Sequence, residues 1–420
     1  MNNKPIIWIL SDKKAKYQSQ LRLASSLIDN YEIFFLITFK NRIEFFNYKN
    51  LKNSSKKLFN SSKKSITKTH YKLLKKLFNN SPLGVIYYIM FILLNKYKVK
   101  KIMLKNMPKI FILNGDRSGP GFETILLILA KKFNVKIILP YLSVINTGKL
   151  VRINNPYTYK LNFLSKILIN SKYKFNANSS SYGFYTLSQY ISLKFFNCIT
   201  ENPFSIGNHP TTSVLCLDSL TTLNQISKNI TQIEKVRYVG RYEYDYLAKH
   251  QDLKKENILL SLPQLFEHKI IDWNSHIKFI SHLVKTITDE YHLKISLHPK
   301  SEYHNYSFLE KKFNCIILRE PIHKELVKSK LFICINSSIA IWSTLLGIKT
   351  IILDFFDLDM SMFNNLKSLI YVNSFNSLKA ELRNKKSIDY TSDWKTLNKM
   401  ELLNQKNEIK MDSILKSLLV

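Results

Sequence analysis

The chain has 420 residues, of which 45% are hydrophobic and 22% charged, and its formal net charge is +33. This composition excludes a disordered or fibrous chain, and the length favours two domains over one. The four cysteines lie in apolar runs without CxxC spacing, which argues against a cysteine metal or dithiol site and indicates buried thiols in a reducing compartment.

The positive charge is concentrated in the first half. Residues 1–200 contain 34 Lys or Arg against six acids, about +28, whereas residues 201–420 contain 29 against 24, about +5. Such a surface attracts anions: phospholipid, polyphosphate, nucleic acid or an anionic glycan. Lysine greatly outnumbers arginine, and sequence-specific nucleic-acid readers depend on arginine, which disfavours nucleic acid as the partner.

The first part of the chain alternates strand and helix signals. The opening apolar run is too short for a secretory signal peptide, so a cytoplasmic protein is expected. The predicted strands are Lys4–Leu10, Glu32–Phe39, Lys109–Leu113, Val135–Pro140, Thr212–Asp218 and Lys235–Val239. The predicted helices are Gln18–Ile28, Gly121–Lys132 and most of Asn154–Asn197.

A basic insertion at 49–105 interrupts this series. Residues 54–79 alternate lysine pairs with apolar residues, and the apolar run Gly84–Leu94 follows. That run is too short to span a membrane, which needs about 20 residues. Two interpretations stay open: a buried helix, or a basic helix on the anionic cytoplasmic leaflet with the apolar run beside it.

A second series begins after a boundary predicted near 242–255. Its predicted strands are Asn257–Leu262, Leu293–Leu297, Cys315–Leu318, Leu331–Ile335 and Thr350–Leu353, with a long helix at Asn274–Glu290. Strands separated by helices of this length predict an α/β fold with two doubly wound parallel sheets. The expected units are 1–245 and 256–395, and a helical segment at 396–420 is expected to pack back on the first unit.

Two polar pairs end predicted strands of the second series. They are His298-Pro299 in LKISLHPKSE and Ser337-Ser338 in LFICINSS, where a helix begins. Each alone is a common turn or helix cap. Parallel sheets bind ligands at the carboxyl ends of their strands, and a helix start offers free N–H groups, so together the pairs predict a phosphate site.

With these pairs, the chain resembles the GT-B glycosyltransferases, especially the bacterial sialyl-, polysialyl- and Kdo-transferases of surface polysaccharide synthesis. The segments KVRYVGRYEYDYL, ENILLSLPQLFEHKIIDW, IIWILSDKKAKYQSQLRLASSL and NGDRSGPGFETILLILAKKFNVKIILP resemble that group, thinly but over most of the chain. The resemblance implies two Rossmann-like domains facing a cleft, with 1–245 binding the acceptor and 256–395 the nucleotide sugar.

The resemblance also implies roles for the paired residues. His298, with Pro299, would contact the phosphate region of a CMP-sugar donor, and Ser337 and Ser338 would bind its phosphate. Glu320 is expected to reach the donor's ribose hydroxyls. No metal or other cofactor is expected, and the DxD at 357–359 is interpreted as a solvated loop.

The catalytic base of those enzymes comes from an acidic-Gly motif, and no such triplet occurs in the first half. Asp116 and Glu123 are the only acids between Glu44 and Glu201, in or beside the loop LNGDRSGPGFE. Either carboxylate could deprotonate an acceptor hydroxyl. Alternatively, Asp116 pairs with Arg117 or loop N–H groups, and Glu123 only adds charge at a helix start.

The sequence therefore predicts a metal-independent glycosyltransferase. It would move an acidic sugar of the sialic acid or Kdo type from a CMP donor to a glycan or lipid-linked glycan, in capsule or lipopolysaccharide synthesis. An alternative is a CDP-polyol phosphotransferase or another nucleotide-sugar enzyme of this fold. A third hypothesis is a non-catalytic basic scaffold that binds membrane or nucleic acid. An anionic membrane surface is an expected partner, with the protein peripheral on the inner face.

Overall fold

The computed structural model describes most of the chain outside a few loops and the basic segment. The described residues are 4–12, 14–38, 43–51, 79–117, 119, 121–142, 159–177, 179–200, 206–218, 222–223, 232–267, 270–298, 301–335, 337–356, 358, 363–403 and 406–419. The predicted basic helix within 54–79 lies almost wholly outside these residues. The two acids of the DxD and Pro299 also lie outside them.

The strands are named in chain order. They are β1 (Ile6–Ser11), β2 (Glu32–Ile37), β3 (Glu44–Asn47), β4 (Ile110–Ile112), β5 (Lys136–Leu142), β6 (Tyr159–Lys160), β7 (Lys174–Ala177), β8 (Ser180–Gly183), β9 (Val214–Leu217), β10 (Val236–Tyr238), β11 (Asn257–Ser261), β12 (Leu293–Ser296), β13 (Cys315–Ile317), β14 (Ser329–Cys334), β15 (Lys349–Leu353) and β16 (Leu369–Val372).

The α-helices are named in the same way. They are α1 (Lys14–Leu27), α2 (Pro82–Lys105), α3 (Phe122–Phe133), α4 (Phe163–Leu168), α5 (Leu187–Phe195), α6 (Tyr242–Lys249), α7 (Trp273–Thr288), α8 (Phe308–Lys312), α9 (Ile322–Leu326), α10 (Ile339–Leu345), α11 (Phe375–Arg383), α12 (Thr391–Leu397), α13 (Lys399–Leu403) and α14 (Asn407–Ser417). Short 3-10 turns occur at Ser171–Tyr173, Ile233–Lys235 and Tyr303–Asn305.

Two large sheets carry the fold. The first has the order β10-β9-β5-β4-β1-β2-β3, parallel except for the antiparallel edge strand β3. The second has the order β13-β12-β11-β14-β15-β16 and is parallel throughout. In both, the chain runs outward from a central strand and then restarts on its other side, which is the Rossmann strand order. The predicted α/β class with two Rossmann-like parallel sheets is confirmed.

The central strands are apolar because helices cover both faces of each sheet. In β1, five of the six residues are buried, and the pattern in β2 is the same. Separate apolar clusters fill the two faces of the first sheet, one built around Trp8 and Phe111 and the other around Ile7 and Ile9. Alternate residues of one strand therefore stabilise opposite layers, as a pleated strand requires.

The prediction that 154–197 is mostly helical with a polar break at NANSSSYG is wrong, because the described part holds three strands besides α4 and α5. The predicted break coincides with most of the β7–β8 hairpin. Strands β6, β8 and β7 form a small antiparallel sheet there. Phe175 and Tyr182 face each other across it with their rings stacked 5.6 Å apart. Ser179 has a φ of 58°, a left-handed turn conformation that reverses the chain, so cross-strand pairing replaces the helix.

Helix α2 departs from the interpretation of Gly84–Leu94 as a buried helix. It has 24 residues, and Tyr88, Ile92, Val99 and Met103 are buried on one side only. Its other side carries large exposed apolar residues. Among the described residues, no helix is long and apolar enough to cross a membrane.

The C-terminal helix α14 packs against the first sheet's layer. Met411 and Leu415 are fully buried in the cluster built around Ile7 and Ile9. Asn30 Nδ2 donates to Asp412 Oδ1 over 3.2 Å. The predicted unit boundaries at 245, 256 and 396 remain predictions.

Candidate functional site

Each sheet has a switch point, where the strand order reverses and a crevice opens at the carboxyl ends. In the second sheet it lies between β11 and β14. Ser337 and Ser338 follow β14, at this point. The hydroxyl of Ser337 accepts the N–H of Ile339 over 3.4 Å, and Ser338 precedes α10 without a side-chain capping bond. Both serines are at the start of a helix, and Ser338 is partly exposed.

His298 lies two strands away, beyond β12. Its side chain is exposed and its carbonyl accepts the N–H of Ser301 over 2.8 Å. Because neighbouring strands are about 4.8 Å apart, the loops carrying His298 and Ser337 are separated by roughly 10 Å. The fold thus brings the two predicted motifs to one edge of one sheet, around the end of β11.

A partly buried carboxylate fixes the His298 loop. Glu267 Oε1 accepts hydrogen bonds from Ser301 Oγ at 2.7 Å and from the hydroxyl of Tyr306 at 2.8 Å. His276 Nε2 lies 3.1 Å from the same hydroxyl. Burial opposes ionisation of Glu267, but the bonds from Ser301 and Tyr306 outweigh it and lower the pKa of the carboxyl. No role for Glu267 was predicted from the sequence. The one feature that could have indicated a role is its position in the loop after a predicted strand.

Glu320 is farther from the serines. It follows the edge strand β13, three strands from β14, and its side chain is 67% exposed. Lys324 Nζ lies 3.0 Å from its carboxylate, and that hydrogen bond and charge lower the pKa of Glu320. The ribose contact expected of Glu320 remains a prediction.

Asp116 is embedded in a loop junction of the first unit. It is fully buried, and its carboxylate accepts the N–H groups of Gly207 at 2.9 Å and His209 at 3.0 Å. The hydroxyl of Thr212 adds a third bond at 2.8 Å. Burial raises the pKa of Asp116, although these donors oppose the shift. Its contacts match the alternative in which the carboxylate binds loop N–H groups, and they leave its oxygens covered.

Glu123 has a different environment. It lies in the first turn of α3 and is partly exposed. A Cβ placed on Gly115 would lie 3.6 Å from Glu123 Oε1, so the carboxylate covers the loop after β4. This position is at the carboxyl edge of the first sheet, and a catalytic role for Glu123 remains a prediction.

The first sheet's own switch point lies between β1 and β4, and sequence reasoning missed the residues there. Asn114 Nδ2 donates to Asp12 Oδ1 over 2.6 Å, and Gln20 Nε2 donates to Asn114 Oδ1 over 3.1 Å. Gln20 also bonds the carbonyl of Leu10 over 2.7 Å. Asp12 is partly exposed directly after β1. The sequence feature that could have indicated Asp12 is its position directly after the first apolar run.

His209, in the second His-Pro pair, is a buried neutral residue. Its Nδ1 accepts the N–H of Thr211 over 3.2 Å, which leaves the proton on Nε2, 3.5 Å from the sulfur of Cys198. Burial, with the charges of Lys131 and Lys235, lowers the pKa of His209 to about 4. The imidazole therefore holds the 206–212 loop without charge.

Aromatic and arginine side chains join the two sheets. The guanidinium of Arg22, on α1, lies 4.4 Å from the ring centre of Tyr242, which contacts the ring of His323 at 5.6 Å. Arg241 lies 5.8 Å from the ring centre of Trp342, five residues after Ser337. Helix α6 therefore links α1 of the first unit to the helices that follow β13 and β14.

Within the described residues, no group of three or more His, Cys, Asp or Glu side chains could hold a metal ion. No protein-family model matches the sequence, and no curated protein matches it.

Solved structures resemble the fold. They include the UDP-GlcNAc 2-epimerase of Methanocaldococcus jannaschii in complex with UDP-GlcNAc and UDP, 12% identical over 98% of this chain and 99% of that one, with a TM-score of 0.49. MurG of Acinetobacter baumannii is 9% identical over 98% and 99%, with a TM-score of 0.46. The wall teichoic acid polymerase TagF is 13% identical over 99% and 88%, also at 0.46. At these identities and TM-scores, the similarities assign neither a family nor an activity to this chain.

Proposed function

We propose that the protein is a metal-independent glycosyltransferase that uses a nucleotide-sugar donor. One observation carries the proposal: in a sheet of Rossmann order, Ser337 and Ser338 follow the strand at the switch point and open a helix. Such positions hold the phosphates of nucleotides in this class of sheet. The first sheet supplies carboxylates on the acceptor side, which a sugar transfer needs as base.

The donor is proposed to be a CMP-activated acidic sugar, of the sialic acid or Kdo type. Ser337 and Ser338 would bind the nucleotide phosphate, and His298 with Pro299 would contact it from the loop after β12, two strands away. Hydroxyl and imidazole donors stabilise the charge that develops on the departing phosphate, which removes the need for a metal. Glu320 would contact the ribose.

The base is proposed to be one of two partly exposed carboxylates, Glu123 or Asp12. The carboxylate takes the proton of the acceptor hydroxyl, whose oxygen then bonds the anomeric carbon as the bond to the nucleotide phosphate breaks. Asp116 is proposed to hold the adjoining loop, because its oxygens are already occupied by three donors. The acceptor would be a surface glycan, free or lipid-linked, made at the inner face of the membrane.

Thermal unfolding in the presence of CMP, CDP, UDP, GDP and their sugars tests the donor. We expect CMP or a CMP-sugar to raise the Tm, and Ser337→Ala/Ser338→Ala to lose that shift. The matched control is Ser387→Ala/Ser392→Ala, two exposed serines of the same unit away from the switch point.

Each other outcome has a definite interpretation. A shift with UDP or CDP alone would keep a nucleotide-sugar enzyme and reject the CMP donor; CDP would favour the polyol phosphotransferase alternative. If no nucleotide raises the Tm, the catalytic proposal fails and the scaffold hypothesis gains. Equal loss in the control variant would reject the assignment of the phosphate to these serines.

A further inference from the structure

Helix α2 has two apolar sides, and only one of them is packed. Its buried residues face α3 and α5, whereas the exposed apolar residues are Leu83, Ile86, Tyr87, Met90, Leu93, Leu94, Tyr97 and Leu104. At 3.6 residues per turn, these side chains span an arc of about 120°, opposite the buried ones. The arc runs along nearly the whole helix, about 36 Å.

Two neighbouring helices also expose apolar side chains. Helix α4 exposes Phe163, Leu164, Ile167 and Leu168, and α5 exposes Ile191 and Phe195. Asn80, just before α2, joins the three helices, because its Oδ1 accepts the hydroxyl of Ser165 at 3.3 Å and the N–H of Leu187 at 3.3 Å. We call the exposed apolar residues of α2 and α4 the apolar face. Its many large side chains exceed what scattered surface residues explain.

The charges around the apolar face have one sign. On the helical projection, Lys98 and Lys105 lie on one side of the α2 arc, Lys100 on the other and Lys101 inside it, all in the last third of the helix. Lys166 and Lys194 are exposed on α4 and α5. No Asp or Glu occurs in any of these three helices. An apolar strip that ends in a lysine-rich turn, on a helix without acids, is the pattern of a helix that lies in a membrane interface.

We propose that the apolar face docks on an anionic phospholipid bilayer, with α2 lying in the plane of the membrane. A second copy of this chain would place the lysines of one helix against the lysines or the apolar side chains of the other, and neither contact offers an opposite charge. Nucleic acid would match the lysines but would leave the Leu, Ile and Phe side chains without a partner. A bilayer matches both, since its headgroups attract lysine and its acyl region takes apolar side chains.

The docked orientation involves the candidate site. Helix α2 leads into β4, so its first turns lie toward the carboxyl ends of the first sheet. There the hydroxyl of Tyr185, just before α5, donates to the carbonyl of Arg117 over 2.9 Å. The residue that precedes α5, next to the first turns of α2, therefore contacts the loop between Asn114 and Glu123. The docking proposal concerns the apolar face alone and does not depend on the chain being a transferase.

Co-sedimentation of the full chain with vesicles tests the proposal. The vesicles are phosphatidylcholine, with and without phosphatidylglycerol. The test variant is Leu83→Gln/Leu94→Gln/Ile167→Gln, and the control is Ile316→Gln/Met400→Gln/Ile409→Gln, three exposed apolar residues elsewhere. We expect the test variant to lose at least about tenfold in vesicle binding and the control less than about twofold.

A lysine variant separates charge from apolar contact. Lys98→Gln/Lys100→Gln/Lys105→Gln should lose about fivefold per lysine on phosphatidylglycerol vesicles, and little on phosphatidylcholine alone. Circular dichroism and nucleotide thermal shifts of all variants should match the unsubstituted protein, because the changed side chains are not part of the core or the donor site.

Several results would overturn the proposal. They are a chain that does not bind anionic vesicles, an apolar variant that binds as well as its control, and a dimer that the apolar variant dissociates. Vesicle binding that double-stranded DNA displaces and that the apolar substitutions leave unchanged would identify a polyanion surface instead. Vesicle binding without any nucleotide response would leave the docking surface intact and reject the proposed function.

Discussion

Asn407, at the start of the C-terminal helix, binds Asp245 of α6 through both its backbone and its side chain. The side-chain bond from Nδ2 to Oδ1 is 2.7 Å, and the N–H lies 3.1 and 3.2 Å from the two carboxylate oxygens. Nδ2 also bonds the carbonyl of Arg241 over 2.9 Å. This contact ties the end of the chain to the segment that connects the two sheets.

Removal of this contact should destabilise the protein. In Asn407→Ala, two hydrogen bonds of a buried amide are lost and the Asp245 carboxylate loses a donor, so the free energy of unfolding should fall by about 2 kcal/mol. Urea unfolding measures the change. Asn384→Ala, an exposed amide at the end of α11, is the control and should cost much less. Equal effects of the two substitutions would show that the contact between Asn407 and Asp245 does not stabilise the fold.

Gly240→Ala should have a comparable effect for a steric reason. Gly240 has a φ of 72°, and a Cβ there would overlap the Oδ1 atom of Asn407. We expect a loss of about 1–3 kcal/mol in the free energy of unfolding. Gly119→Ala is the matched control, because a Cβ added there would meet no other group within 4 Å. A Tm shift no larger than that of Gly119→Ala would contradict the overlap.

Substitutions of Asp116 and Glu123 distinguish a structural acid from a catalytic one. Asp116→Ala leaves three buried donors without an acceptor and should cost about 3–5 kcal/mol of stability. Glu123→Ala, at a partly exposed position, should cost less than about 1 kcal/mol. Chemical unfolding tests both. A stable Asp116→Asn protein that binds donor but transfers no sugar would restore Asp116 as the base.

Acid should destabilise the protein through His209. Its pKa is lowered to about 4 in the folded state, against 6.5 ordinarily, so between these values the unfolded chain binds more protons. The free energy of unfolding therefore falls as the pH drops from 6.5 toward 4, by up to about 3 kcal/mol. Urea midpoints across this range should show a smaller slope in His209→Gln. His304→Gln, at an exposed site, should leave the slope unchanged.

Glu267 is predicted to act on the donor through the His298 loop. Glu267→Ala frees Ser301 and Tyr306, so the loop loses its fixed position and the nucleotide should bind about tenfold more weakly. Glu302→Ala, an exposed acid in the same loop, is the control. Calorimetric titration with the nucleotide that raises the Tm measures both. Equal affinities would show that Glu267 has no role in donor binding.

Much of the fold could be predicted because its strands are continuous apolar runs. Five of the six residues of β14 are buried, and its predicted and observed bounds differ by only one or two residues. Strand β16 was missed because its apolar run has only four residues. The small sheet around Tyr182 was missed because its residues are mixed in polarity and their strand character depends on a partner strand. The C-terminal helix was expected, whereas its bond to Asp245 could not be.

Part of the candidate site could also be predicted from the sequence, and part could not. His298 and Ser337 were recognisable because each directly follows an apolar strand, and parallel strands end at a common edge. The hydrogen bonds that cover the carboxylate of Asp116 could not be recognised, because their donors come from residues some 90 positions later in the chain.

The apolar face of α2 also required the structure. The run Gly84–Leu94 is apolar all round, so its sequence does not say which side is packed. That is decided by α3 and α5, which cover one side and leave Leu83 and Leu94 exposed.

The sequence by itself determined the alternation of apolar strands and helices, the excess of lysine in the first half and the polar residues at strand ends. Local periodicity and composition are enough for these. Only the tertiary structure decided which polar groups are covered and which apolar residues stay exposed. Burial depends on which distant segments pack together, and no local pattern carries that information.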